Sequence, residues 1–122
     1  MTLLSKIGDA GEIAAQAILN AHGVRSDMMP RNNPGFDLLT PCGARVQVKT
    51  RAQARGMGRC VTVKNWDFDH LFVRLAPPNK EPENYCIPRA LLDRIAWKQY
   101  RRGYTVRLSK IANLHSYKLT EI

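Results

Sequence analysis

Cysteine is scarce in this chain and does not pair up. Its 122 residues hold three, Cys42, Cys60 and Cys86. The number is odd, the spacings are wide and no CxxC occurs. Neither a disulfide framework nor a cysteine-bound zinc is expected, and the thiols read as reduced ones of a cytosolic protein. Long apolar runs are missing too: none approaches the ~20 residues of a membrane-spanning helix. The opening "MTLLSKIGDAGE" lacks the charged start and long apolar core of a signal peptide. A cytoplasmic or nucleoid-associated protein with no membrane partner is therefore expected. There is no glycine-rich GK[ST] loop, which leaves an ATPase without support. His22, His70 and His115 stand at no metal-ligand spacing, and Ser109 and Ser116 lack the setting of a nucleophile. The length fits one domain spanning 1–122.

Acid is the other shortage, and it is local. Nineteen Lys and Arg face ten Asp and Glu, a net charge of +9. Residues 1–40 hold three basic and four acidic side chains; residues 41–122 hold sixteen and six. Two stretches have no acid at all. "CGARVQVKTRAQARGMGRCVTVKNW" carries six basic residues and "KQYRRGYTVRLSK" five. A basic surface segregated in this way attracts polyanions, of which nucleic acid is the commonest. Arg45, Arg51, Arg55, Arg59 and Lys64 in the first stretch are candidate nucleic-acid contacts. So are Lys98, Arg101 and Arg102 in the second, although cations at a helix C-terminus are also favoured by its dipole. Trp66 and Trp97 could stack on bases, but aromatic packing in the core or an interface is the commoner use.

The order of elements points to a mixed architecture. Leu3, Ile7, Ala10, Ala14, Ala17, Ile18 and Ala21 recur at helical spacing and predict a helix over 3–22, stopped at Gly23. Glu12 falls at the rim of that stripe or beyond it. Short strands are expected at 36–40, 44–50 and 59–64, with Met28 and Met29 beginning another. "HLFVRLA" is more continuously apolar and reads as a central strand. "YCIP" is a further strand, 89–100 a second helix, "YTVRL" a late strand and "SKIANL" a helical turn. "APPNKEPEN" is a loop. Helix, strands, helix, strand is α/β or α+β around a mixed sheet.

The stretch "NPGFDLLTPCGARVQVKT" carries the chemistry. Read as a hairpin with Pro41-Cys42-Gly43 as a three-residue loop, it pairs Leu39 with Arg45, Leu38 with Val46 and Asp37 with Gln47. Leu38, Val46 and Val48 then share one face, and Asp37, Gln47 and Lys49 the other. A plain surface hairpin would scatter its polar residues; here an acid, an amide and a base are gathered.

The pattern D-x9-Q-x-K, after a helix bearing "GDAGE", resembles the PD-(D/E)xK nuclease superfamily. Later segments, "DHLFVRL" and "YCIPRALL", resemble its following strands and helix. The likeness covers most of the chain and is nearest to small stand-alone members. These include archaeal Holliday-junction resolvases and group I intron homing endonucleases, some of which place Gln before the lysine. It implies a restriction-endonuclease-like α/β fold, with a mixed central sheet flanked by helices. It also implies hydrolysis of DNA phosphodiesters with Mg²⁺, for which Mn²⁺ can substitute. By that likeness Glu12, Asp37 and Gln47, with the backbone carbonyl of Val48, would hold the metal. Lys49 would orient water or stabilise charge. A homodimer or higher oligomer is expected, because cutting a duplex addresses two strands. Gln47 stands where the second acid usually is, which lowers the site's charge. Two alternatives stay open: an inactive DNA-binding module of the same fold, and a basic protein that binds an acidic partner.

Overall fold

In the computed structural model, residues 3–30, 36–51, 60–78, 80–99 and 103–120 are described. Helix α1 runs Leu3–Ala21. Strands β1 (Asp27–Met28), β2 (Leu38–Leu39), β3 (Arg45–Arg51), β4 (Cys60–Val63), β5 (His70–Leu75) and β6 (Glu83–Pro88) follow. Then come a single helical turn α2 (Arg89–Leu92), β7 (Trp97–Gln99) and β8 (Gly103–Arg107). Turns of 3₁₀ helix at Leu108–Lys110 and Leu114–Tyr117 close the chain. Two sheets result: a five-stranded one in the order β1-β2-β3-β5-β6, and a three-stranded one in the order β4-β8-β7. The first is mixed, since β3 and β5 are parallel and its other pairs antiparallel. No helix among the described residues is long and apolar enough to cross a membrane.

The five-stranded sheet is covered on both faces, and strand alternation decides what goes where. Leu38, Val46, Val48 and Phe72 point to α1, where they bury with Ala15, Ile18 and Leu19. Leu71, Val73, Tyr85 and Ile87 point the other way, into a second cluster with Val61, Val63 and Val106 of the small sheet and with Phe68 and Leu92. Each fully buried Leu, Val or Phe stabilises the fold by roughly 1.5–3 kcal/mol. The central position of "HLFVRLA" follows, because β5 has apolar neighbours on both faces.

Helix α1 is turned from the face its alanines suggest. Gly11, Ala15, Ile18 and Leu19 are buried, whereas Ala10, Ala17 and Ala21 are exposed. Gly11 is the reason. Its backbone lies against Thr50 so closely that a Cβ there would overlap the threonine side chain. The smallest residue sets the closest approach, and Ala10, Ala17 and Ala21 are left outside. Glu12, about 100° further round, therefore sits on the flank of the buried face and is half-buried.

The second helix is also shorter than its periodicity predicts. Leu92 is buried, and Leu91, Ile95 and Ala96 pack beside it, so the pattern marks burial correctly. The chain nevertheless leaves the helix after Leu92, and Trp97-Lys98-Gln99 pairs with β8 instead. Strand pairing here overrides helical spacing. Lys98 accordingly stands on a strand, its Nζ 5.9 Å from the Tyr104 ring centroid, and no helix dipole acts on it.

Candidate active site

The hairpin is built as its loop residues dictate. Gly43 N–H donates to the Thr40 carbonyl at 2.9 Å and Thr40 N–H to the Ala44 carbonyl at 3.0 Å. Gly43 takes φ 88°, the left-handed residue that completes a turn and bulge of this kind. Register follows from the turn: Leu39 opposes Arg45 and Leu38 opposes Val46. Strand β2 is only two residues long, because Asp37 already departs from ladder geometry. Asp37 N–H still reaches the Val46 carbonyl at 2.8 Å. The next donor along, Val48 N–H, is taken by the Asp37 side chain at 2.8 Å.

That substitution of carboxylate for backbone makes the site. Asp37 Oδ2 accepts from Val48 N–H and, at 3.0 Å, from Gln47 Nε2. Among the described residues no donor reaches Oδ1. Gln47 has its nitrogen committed to Asp37, so its amide oxygen is directed away. In a strand the N–H and C=O of one residue point to the same edge, so the Val48 carbonyl also faces the side where β2 has left. Lys49 lies one pleat beyond Gln47. Both are half-buried, beside the fully buried Val73 and Leu71 across the parallel ladder. Among the described residues the Lys49 side chain makes no hydrogen bond or ion pair.

Glu12 is placed differently. It stands on the α1 side of the sheet, while Gln47 and Lys49 face the other side. It lines a groove of about 290 Å³ with Asp9, Ile13, Met28 and Met29. The two places touch through Met29, whose N–H donates to the Asp37 carbonyl at 2.9 Å. The structure thus brings Asp37, Gln47 and Val48 together, sets Lys49 alongside, and leaves Glu12 in the adjoining groove. Among the described residues no three of His, Cys, Asp and Glu gather as a metal cage.

The basic candidates separate. Arg51 is half-buried at the end of β3, and Lys64 and Lys98 are exposed. Arg45 is already engaged: its guanidinium meets Asp67 at 2.6 Å and Asp69 at 3.2 Å, and its N–H donates to Asp69 at 2.8 Å. Those bonds hold the Asp69 carboxyl below its usual range and raise Arg45. Arg45 is a clasp between β3 and the segment entering β5, not a free contact. Residues 55, 59, 101 and 102 lie outside the described residues.

No family model matches this chain, and no curated protein matches it. The clasp went unread in the sequence, although "DFD" was visible as two acids placed directly before the central strand. Trp66 packs edge-on to Phe68, with centroids 5.0 Å apart, and against Tyr104 at 4.6 Å. It is a structural residue, whereas Trp97 is 40% exposed. Cys86 is enclosed, and burial pushes its thiol up to about 11; Cys42 is exposed at the hairpin tip, where the Thr40 hydroxyl lowers it.

Proposed function

We propose that this chain is a metal-dependent DNA endonuclease of the PD-(D/E)xK type. One observation carries the reading. Among the described residues a single oxygen of Asp37 is pinned by Val48 N–H and Gln47, no donor reaches its second oxygen, and the side chain of Lys49, one pleat beyond Gln47, has no partner. Asp37 Oδ1, the Gln47 amide oxygen and the Val48 carbonyl are hard oxygen donors. That set fits Mg²⁺ or Mn²⁺ keeping several waters, while Glu12 stays in its groove on the α1 side of the sheet. Mg²⁺ bound there supplies charge that offsets the negative charge developing on phosphate oxygens.

The chain's own residues do the rest. The two hydrogen bonds fix the Asp37 carboxylate before substrate arrives. Lys49 presents up to three N–H donors to a non-bridging phosphate oxygen or to the attacking water. Half-burial beside Val73 and Leu71 limits competing solvent. Arg51, Lys64 and Lys98 contact the sugar-phosphate backbone, which positions DNA without reading its sequence. A homodimer in the cytoplasm or on the nucleoid completes the proposal.

A second reading has its own support. Gln47 replaces a charged ligand, and its amide already bonds the aspartate. An inactive DNA-binding module would look the same. Plasmid and branched DNA, incubated with Mg²⁺, Mn²⁺ or EDTA, separate the two. Metal-dependent cutting lost in Asp37→Asn and Lys49→Ala is the expected result. Salt-sensitive binding with no cutting under either metal would overturn catalysis and leave the binding module.

A further inference from the structure

The two acid-free stretches of the sequence are far apart, and the fold joins them. Strand β4 comes from the first, and β7 and β8 come from the second. No acidic residue occurs from Cys60 to Trp66 or from Trp97 to Thr120. The three-stranded sheet therefore carries cations alone: Lys64, Lys98, Arg107 and, just beyond it, Lys110 are all exposed.

Its two faces differ. Val61, Val63 and Val106 face inward and are buried. The register sets the outward face. Thr62 opposes Thr105, Thr105 opposes Trp97, and Cys60 opposes Arg107. One row across the sheet thus reads Thr62-Thr105-Trp97, exposed at Thr62 and Trp97 and buried at Thr105 between them, with the two hydroxyls 3.3 Å apart. Arg107 stands next to that row on the same face. Trp97 is 40% exposed, while Trp66, on the core side, is packed away.

We propose that this outward face binds an unpaired stretch of nucleic acid, with a base stacked on Trp97 and the backbone held by Arg107, whereas Lys98 lies on the opposite face over Tyr104. An exposed indole beside an arginine on one sheet face is a stacking platform for a base whose face is free. A duplex hides its base faces in its own stack and would meet the cations only. The sheet is roughly 10 Å wide from β4 to β7, enough for a single strand to cross. A second copy of the chain is the less suitable occupant, because it would bring like charge to like. The inference rests on the nucleic-acid reading of the basic surface, but not on cleavage. It narrows the substrate to DNA with unpaired bases, such as a branch point or a frayed end.

The test is binding in EDTA, where no cutting can occur. A labelled oligothymidylate of about 15 nucleotides and a duplex of equal length are titrated with wild type, Trp97→Ala and Trp97→Phe. Trp97→Ala is expected to weaken oligothymidylate binding by roughly 5- to 100-fold, and duplex binding by less than about twofold. Trp97→Phe should retain most of the affinity. Equal losses on both ligands, or no loss on either, overturn the proposal. So does a dimer seen by sedimentation that Trp97→Ala abolishes while oligothymidylate binding is unchanged, which would give the face to a second copy. If Trp97→Ala fails to fold, the emission lost between wild type and Trp97→Phe reports Trp97. Saturating oligothymidylate must quench that share, and an unquenched share overturns the proposal. Binding is read in EDTA and cutting only with metal, so a failed cleavage assay and a failed platform are read independently.

Discussion

Gln47 donates its side-chain amide to Asp37 Oδ2 at 3.0 Å, and that bond orients both side chains. The same oxygen takes Val48 N–H at 2.8 Å, so Asp37 also satisfies a backbone donor that strand β2 leaves behind. Structural and chemical roles coincide in one carboxylate, and substitutions can part them. Asp37→Ala strands the Val48 N–H and should cost about 1–3 kcal/mol, several degrees in Tm. Asp37→Asn keeps an acceptor oxygen and should melt close to wild type, yet lose metal-dependent cutting. Thermal melts beside a plasmid assay check both. If Asp37→Asn cuts normally, the aspartate serves the hairpin alone.

Gly11 against Thr50 offers a second test. Alanine in a helix is ordinarily better than glycine by about 1 kcal/mol. Here its Cβ would overlap a β-branched side chain anchored on β3, and overpacking costs about 1–3 kcal/mol. Gly11→Ala should therefore lower Tm. Thr50 Oγ1 is buried without a hydrogen-bond partner among the described residues. Thr50→Ala removes the orphan and the closest overlap, but leaves a Cβ 3.0 Å from the one added at Gly11. In that background Gly11→Ala should lower Tm less than it does in the wild type, and denaturant melts of the four proteins would show the difference as non-additivity.

These two sites show what the sequence made legible. The hairpin was readable because Pro41-Cys42-Gly43 admits one economical turn, and the turn sets Leu39 against Arg45 and Leu38 against Val46, leaving Asp37 to meet Gln47 through its side chain. The strand "HLFVRLA" was readable because a strand covered on both faces is apolar throughout. The rotation of α1 was not, since alanine stripes do not say how near a helix lies to its sheet; only the contact of Gly11 with Thr50 does. The early end of α2 was hidden for a similar reason. Leu91, Leu92, Ile95 and Ala96 are packed as a helix would pack them, but the pairing of Trp97 with Thr105 is a long-range event. Arg45 looked like a DNA contact until the fold brought Asp67 and Asp69 to it.

The Arg45 clasp makes stability depend on pH. Arg45 stays charged throughout, and Asp69 supplies the titration. Its carboxyl is held below the usual range by hydrogen bonds from the guanidinium and from Arg45 N–H. The contribution is therefore complete above the unfolded carboxylate value of about 3.9, and it is lost as pH falls through the lower folded value. Asp69→Asn should melt lower at neutral pH and differ less from wild type in acid. Arg45→Gln should reduce Tm while leaving DNA affinity nearly unchanged; Lys64→Gln should do the reverse. Melts from pH 2 to 7 and a salt-dependent binding series separate them. A large affinity loss in Arg45→Gln with unaltered Tm would return that residue to the DNA surface.

Gln47→Glu tests whether the site holds a metal at all. In metal-free buffer the change removes the donor to Asp37 Oδ2 and sets a second carboxylate near the first. Two like charges at that separation disfavour each other, so Tm in EDTA should fall below wild type. A divalent cation reverses the balance, because the repelling pair becomes a chelating pair. Added Mg²⁺ or Mn²⁺ stabilises whichever protein binds it more tightly, in proportion to the logarithm of cation concentration over Kd. The rise in Tm on adding metal should therefore be larger for Gln47→Glu than for wild type, and should shrink when Asp37→Asn is added. Cutting need not improve for this to hold, since a tighter site can also hold the wrong geometry. A Gln47→Glu protein that melts low in EDTA and stays low at saturating Mn²⁺ would show that these oxygens do not converge on a common ion. Asp37 would then be left to its hairpin, and the basic surface to binding without catalysis.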